Sequence, residues 1–434
     1  MWPISCIEKK RYGQKLPQGE IQAFVEEYVN GTIPDYQMAA WLMAVCIQGM
    51  DYEETVALTL AMAHSGHILD LSEIKGIKVD KHSTGGIADT VTLIAAPLAA
   101  AGGVPIAKMS GRGLGFTGGT IDKLEAIPGF QTALTESAFC RQVQEIGIAL
   151  MQQSEDIAAA DKKMYALRDT TGTVASIPLI ASSIMSKKIA AGADKIVLDV
   201  KYGSGAFMQT WEEGEELART MVSIGKLAGK ETAAVLSDME MPLGLAIGNS
   251  VEVDEAVQVL QGKRTGRLYE AAAAVAGIML YMGNRAESME EGALLAKEMI
   301  ADGRGLAKFT EWLSAQGGNT SWIGNEPLTK AEQEYIVRSE TNGYIASYAG
   351  RQLGDIVMRM GAGRAKKDDE IDPNAGLILK KEVGEAIEQG EILAVLYAKS
   401  EIFLKELAEE VRQAVTITKE RPEPYPIIKK IIAE

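Results

Sequence analysis

Residues 104–125 read VPIAKMSGRGLGFTGGTIDKLE, and their order decides the fold. A short β-rich run, VPIAK, ends in a connection that holds five glycines, an arginine, a serine and two threonines, and a helical pattern follows. Glycine lets backbone N–H groups close on an anion, while hydroxyl and cationic side chains complete its coordination, so the connection reads as a phosphate cradle. One helix earlier, IKVDK runs into a second such loop at 80–86 (DKHSTGG), with a histidine added. A third run, KIVLDV, precedes the glycines of 201–205. Alternating β runs and helices predict a largely parallel sheet. Ligands of such sheets bind at the carboxyl ends of the strands, where all three loops fall, so the loops are expected to converge.

Outward from this centre the pattern changes twice. Residues 1–66 read as helical, with helices over 19–29, 35–47 and 51–63, the last opened by an Asp51/Glu54 capping pair. An insertion at 160–191 is helical again and is expected to pack back onto the N-terminal helices. The glycine-rich, polar stretch 317–325, followed by Pro327, marks a boundary, beyond which the runs YIASYA, GLILK and EILAVLYA surround a helix near 402–415. The expected architecture is α/β: a helical domain split in sequence (1–66 and 160–191), a large α/β domain with a mixed, largely parallel sheet (70–156 and 192–325), and a C-terminal α+β part (326–434). No internal repeat stands out.

Composition bounds the function. At 434 residues the chain is long enough for two or three domains, and 47% hydrophobic with 24% charged residues is ordinary for a globular protein. A net charge of −15 disfavours nucleic acid and anionic membrane surfaces as partners, since both need a basic field. Yet Lys81, Lys108, Arg112, Arg168, Lys187, Lys188 and Lys201 gather near the glycine loops. A local cationic site in an acidic protein points to a small anion. The three cysteines suggest neither a disulfide framework nor a zinc knuckle, and no apolar run approaches a membrane span, so a cytoplasmic protein is expected.

Two constellations could do chemistry. His82 lies inside the first anion loop between Lys81 and Ser83; a bound phosphate would favour its protonated form, from which it could donate a proton. Arg168, Ser183 and Lys187 form the second: Ser182 or Ser183 is expected to cap a helix starting SSIMSKK, which sets Ser183 and Lys187 four apart on one face, and Arg168 suits a planar polar ligand. His64 and His67 stand three apart at a helix end, but without a third ligand they make a poor metal site.

The stretches GIKVDKHSTGG, KMSGRGLGFTGGTIDKLEAIPGF, ADKKMYALRD and SIPLIASSIMSKKIAAGADKIVLDVKYGSGAFM resemble the thymidine and pyrimidine nucleoside phosphorylase family, over essentially the whole chain. The resemblance implies a cleft with inorganic phosphate on the α/β side, held by Lys81, Ser83, Thr92, Lys108, Ser110 and Thr120. It implies a pyrimidine nucleoside on the helical side, held by Tyr165, Arg168, Ser183 and Lys187 with His82 between, and an apolar wall of Leu114, Val174, Ile180 and Phe207. Lys108 resembles the branch that takes uridine as well as thymidine. That branch also implies no organic cofactor but a monovalent cation, potassium, near Ala88, Thr90, Leu243, Ala246 and Glu255, and a homodimer formed through the helical domain. The activity implied is reversible phosphorolysis to free base and (deoxy)ribose 1-phosphate, with His82, Arg168 and Lys187 catalytic and hinges near 67–72 and 155–159.

Three positions depart from the family pattern: Phe116 in place of histidine, Ala88 in place of glycine, and Gln152-Gln153-Ser154 in a stretch otherwise richer in glycine and threonine. They motivate two competing expectations. One is a phosphoribosyltransferase or other sugar-phosphate enzyme on the same fold, which would need magnesium ligands near the base clamp. The other is a nucleoside-binding relative with reduced turnover.

Overall fold

The computed structural model describes residues 2–113, 118–154, 156–364, 366, 369–399 and 401–433. The chain opens with helices α1 (Pro3–Arg11), α2 (Gln18–Val29), α3 (Asp35–Gln48) and α4 (Tyr52–Ala63). The expected capping box forms: Glu54 N donates to Asp51 Oδ1 at 2.9 Å, and Asp51 N donates to Glu54 Oε2 at 3.1 Å. Helix α1 is an addition to the sequence reading. It is polar apart from a narrow inner face, and it is anchored by Lys10, whose Nζ lies 2.8 Å from Glu54 with both side chains 3% exposed.

The chain then builds β1 (Val79–Ser83), α5 (Val91–Ala101), β2 (Ile106–Ser110), α6 (Thr120–Glu125), α7 (Glu136–Ile146) and β3 (Ile148–Gln152). It returns to the helical side through α8 (Ala159–Thr171) and α9 (Ile177–Ala190). As expected, this insertion packs back: Ala160, Met164 and Leu179 share one core with Phe24, Trp41 and Leu58. Helix α9 starts six residues before the expected Ser183, because Pro178 is tolerated in a first turn, where its missing N–H has no partner to lose.

Next come β4 (Lys195–Tyr202), α10 (Trp211–Leu227), β5 (Glu231–Asp238), β6 (Ala246–Gly248), α11 (Ser250–Leu260), α12 (Arg267–Met282), α13 (Met289–Ala301) and α14 (Arg304–Ala315). Strands β1, β4 and β5 pair in parallel, and β2 and β3 form a second parallel pair. Where the two meet, Val79 N donates to Pro105 O at 3.3 Å, and the Lys108 side chain donates to Lys81 O at 2.6 Å. Helix α5, VTLIAAPLAAA, is apolar all round and is buried against α12 and α14 in the largest core.

The remainder comprises β7 (Gln333–Arg338), β8 (Gly343–Tyr348), α15 (Gly350–Val357), β9 (Gly376–Leu379), β10 (Ala386–Ile387), β11 (Ile392–Ala398), α16 (Glu401–Gln413), β12 (Val415–Thr418) and β13 (Ile428–Ala433). It forms antiparallel sheets ordered β6-β9-β11-β7 and β10-β8-β12. The stretch 326–434 is not closed on itself. It borrows β6 for its own sheet, and it lends β13, which pairs antiparallel with β5. The boundary at 317–325 is a turn of the chain, and pairing across it leaves no local signal.

The expected hinge segments cross each other. His67 N donates to Asp156 O at 2.8 Å, and Ala160 N donates to Ser65 Oγ at 2.8 Å. A Cβ on Gly66 would lie 1.9 Å from Asp156 O, so only glycine fits the crossing. Glu155 lies outside the described residues.

Candidate active site

The loops leaving β1, β2 and β4 converge as expected and line a cleft of about 380 Å3 against α8 and α9. Successive side chains of a strand point to opposite faces, and β1 uses both. His82 lines the cleft, and Asp80, two residues earlier on the same face and fully buried, meets Lys188 Nζ at 2.8 Å and Lys108 Nζ at 3.7 Å. Lys81 points away from the cleft wall. Its side chain is 1% exposed, with Nζ 3.1 Å from Asp199 and 3.4 Å from Thr92 Oγ1, so it backs the wall rather than lining it.

Of the other residues expected to hold phosphate, Ser83, Thr92, Lys108, Ser110 and Thr120 all line the cleft. Gly85, at φ 93°, turns the first loop so that its N–H donates to Ser83 Oγ at 3.1 Å, and Ser83 donates to the Asp89 carboxylate. Burial alone would raise the Asp89 carboxyl, but Lys201 and Lys81 hold it well below the usual range. The long glycine loop is pinned through Asp122, which accepts from Gly113 N at 2.7 Å, from Arg112 at 3.3 Å and from Arg364 of the C-terminal part at 2.8 Å. Leu114 and Phe116 lie outside the described residues.

The electrostatics of the cleft are set by burial and by four crowded lysines. Burial pushes the Lys108 ammonium down to about 7, helped by Lys188 and opposed by Asp80. Burial, then Lys188, Lys108, Lys187 and Lys81, push the His82 imidazole well below its ordinary value. The uncharged imidazole is therefore favoured, and the protonated form expected beside phosphate would need an anion to offset the lysines.

On the facing wall, Arg168 is 2% exposed and donates to three backbone carbonyls: Nε to Thr173 O at 3.2 Å, Nη1 to Leu179 O at 3.0 Å and Nη2 to Val174 O at 2.9 Å. A guanidinium has five N–H groups, so two remain for the cleft it lines. Lys187 Nζ donates to Ser183 Oγ at 3.0 Å and lies 2.6 Å from Asp161 Oδ2. The Tyr165 ring stands between the two cations, with its centre 5.7 Å from the Arg168 guanidinium carbon and 5.9 Å from Lys187 Nζ. Val174, Ile180 and Phe207 supply apolar lining.

Some of the residues expected to hold a cation are linked through the backbone. Ala88 and Thr90 follow β1, Gly244 N donates to Ala88 O at 3.3 Å, and Glu255 accepts from Leu245 N at 2.8 Å and Ala246 N at 3.0 Å. The Thr90 hydroxyl is buried there without a hydrogen-bond partner. His64 bonds its own helix at Leu60 O, and His67 meets Glu136 at 2.8 Å. Among the described residues no cluster of three or more His, Cys, Asp and Glu could hold a metal ion.

A helical body and an α/β body facing each other across a cationic cleft define a glycosyl transferase architecture, and comparison with known proteins agrees. Family models of the glycosyl transferase family match as its helical bundle domain over 4–66 and its a/b domain over 75–306, and the pyrimidine nucleoside phosphorylase C-terminal domain matches 344–418. The chain belongs to the pyrimidine-nucleoside phosphorylase family: it is 48% identical over 432 residues to the proteins of that name from Staphylococcus haemolyticus and Staphylococcus aureus, with 99% of each chain covered. Anthranilate phosphoribosyltransferase from Thermus thermophilus shares the fold, with a TM-score of 0.60 at 21% identity over 72% of this chain and 99% of that one.

Proposed function

We infer that this protein catalyses the reversible phosphorolysis of pyrimidine nucleosides, uridine and thymidine among them, to free base and (deoxy)ribose 1-phosphate. The observation that carries the reading is the pairing of two unlike clamps across one cleft. The glycine loops with Lys108, Ser83, Ser110, Thr92 and Thr120 suit a tetrahedral anion, and Arg168, Ser183 and Lys187 beside Tyr165 suit a flat polar ring.

Phosphate oxygen attacks the anomeric carbon as the bond to the base nitrogen breaks. Positive charge develops on the sugar and negative charge on the base. Arg168 and Lys187 lie where the base anion forms and stabilise it, while His82, charged once phosphate is bound, donates a proton or hydrogen bond to a base carbonyl. Lys81 acts from behind Thr92, keeping the wall cationic. The clamps sit on different bodies, so the crossing at Gly66 and Asp156 is the hinge about which they approach.

Three further readings accompany this one. The oxygen donors of Ala88, Thr90, Leu243, Ala246 and Glu255 suit a monovalent cation such as potassium, and the unpartnered Thr90 hydroxyl favours it. Such an ion would tie the loop after β1 to β6 and α11, and a higher thermal midpoint in potassium than in tetramethylammonium salt would support it. A second copy of the chain would cover Trp2, Ile4, Tyr36, Met43 and Ile47, an exposed apolar face on α1 and α3, to give a homodimer that sedimentation would detect. Residence in the cytoplasm fits the free cysteines and a reaction on small metabolites; among the described residues no helix is long and apolar enough to cross a membrane.

The test is release of free uracil and thymine from uridine and thymidine with and without inorganic phosphate. Release that needs phosphate establishes the reaction, and the ratio of the two rates reports base and sugar preference. No release from folded protein would overturn the reading.

A further inference from the structure

Asp161 lies behind the cleft wall, on the first turn of α8, and is 3% exposed. We propose that Asp161 is the positioning residue of the base clamp: with Ser183 it fixes two of the three N–H groups of Lys187 and so aims the third at the departing base. The proposal rests on the reading of Lys187 given above.

The geometry argues for direction rather than for stability. A lysine stem has four rotatable bonds, and its ammonium carries three donors with no directional preference of its own. At 2.6 Å from Asp161 Oδ2 and 3.0 Å from Ser183 Oγ, two donors are committed, and the tetrahedral nitrogen then has one left. Lys187 lines the cleft, so that remaining donor is the one the ligand can meet.

Asp161 is itself held still. Its position in the first turn places the carboxylate where the helix dipole favours negative charge. The preceding residue, Ala160, donates its N–H to Ser65 Oγ at 2.8 Å, which fastens this end of α8 to the end of α4. The other carboxylate oxygen, Oδ1, is buried without any hydrogen-bond partner in the protein. A half-buried ion pair whose carboxylate keeps one unsatisfied oxygen is a poor source of stability, because desolvation of the carboxylate offsets the attraction. What the pair does instead is fix the direction of a residue that lines the cleft.

Two roles can be separated by the sign of the effect. If Asp161 acted only through its charge, removing it would make the cleft more cationic and favour an anionic leaving group. If it aims Lys187, removing it costs rate despite the added positive field.

The experiment compares the wild type with Asp161→Asn, Asp161→Glu, Lys187→Ala and the double variant Asp161→Asn/Lys187→Ala, each checked for fold by circular dichroism. Expected is a fall in kcat of about tenfold for Asp161→Asn, less than the roughly hundred- to thousandfold for losing a preorganised donor outright, with the KM for inorganic phosphate unchanged. The double variant should be no slower than Lys187→Ala, because the two residues act as one unit. The deficit of Asp161→Asn should shrink with 5-fluorouridine, whose base departs more readily; a purely structural lesion would slow both nucleosides alike. Wild-type or faster kcat in Asp161→Asn overturns the proposal, as does a double variant slower than Lys187→Ala by the full single-variant factor. Should Asp161→Asn fail to fold, Asp161→Glu decides: one methylene longer, it misplaces Lys187 and lowers kcat, and wild-type kcat there refutes the idea. If Lys187→Ala itself keeps wild-type turnover, the base-clamp reading falls instead.

Discussion

Lys187 and Lys188 are neighbours in α9, yet they are held by carboxylates from opposite bodies: Lys187 by Asp161 of α8 at 2.6 Å, and Lys188 by Asp80 of β1 at 2.8 Å. Consecutive helical residues differ by about 100° in direction, so one helix sends one cation to each side of the cleft. Lys187→Ala removes the cleft-lining cation that the proposed function sets against the base. The expected loss in kcat is roughly two to three orders of magnitude, read as free base released per enzyme at saturating nucleoside and phosphate.

Burial and then the surrounding lysines disfavour the charged form of His82. Phosphate adds negative charge beside it, and the imidazole should then hold its proton to higher pH. A histidine NMR titration, with the signal assigned through His82→Asn, should show its midpoint rise on adding phosphate; an unmoved midpoint would separate His82 from the anion.

Lys108 titrates at about 7 in the folded protein against an ordinary value of 10.5. Between those values the unfolded chain binds the extra proton, so this group makes folding more favourable as pH rises through that window, and its buried charge opposes folding below about 7. In Lys108→Met that contribution disappears. Calorimetric midpoints at pH 6 and pH 9 should therefore show the variant's gain over wild type largest at pH 6.

Arg364 reaches from the C-terminal part to Asp122, which in turn holds Gly113 N at 2.7 Å. Arg364→Ala releases one of the two arginines on that carboxylate. The KM for phosphate should rise, by roughly tenfold if one charge-assisted hydrogen bond is lost from the loop, while the melting temperature changes little.

Lys10 and Glu54 form an ion pair with both side chains 3% exposed, and Glu54 also accepts from Leu16 N at 2.8 Å. Lys10→Met would strand a buried carboxylate and should cost about 3–5 kcal/mol, measurable by urea denaturation. A loss under about 1 kcal/mol would mean that water reaches Glu54.

Much of this site is legible in the sequence because its physics is local. A β run, a glycine loop and a helix follow one another over a short stretch, and their repetition places three loops at one sheet edge without knowledge of strand order. Arg168, Ser183 and Lys187 are legible for the same reason, although Pro178 conceals the true start of α9. What escapes is whatever depends on a partner far along the chain. Asp161 looks like any first-turn acid until α9 brings Lys187 beside it, and Asp122 looks like a helix surface until Arg364 arrives from 242 residues away. The exchange of β6 and β13 between the two halves is hidden likewise, since each strand matches an ordinary edge pattern.

The strand that seals the edge of β5 is the last of the described strands to be made. During synthesis, β5 must therefore wait with its backbone groups unpaired while the whole C-terminal part emerges, and an open edge is a template for wrong pairing. Shielding of nascent chains by chaperones should matter most in that interval, and a chain ending before Ile428 should emerge as associating material rather than as a slower enzyme.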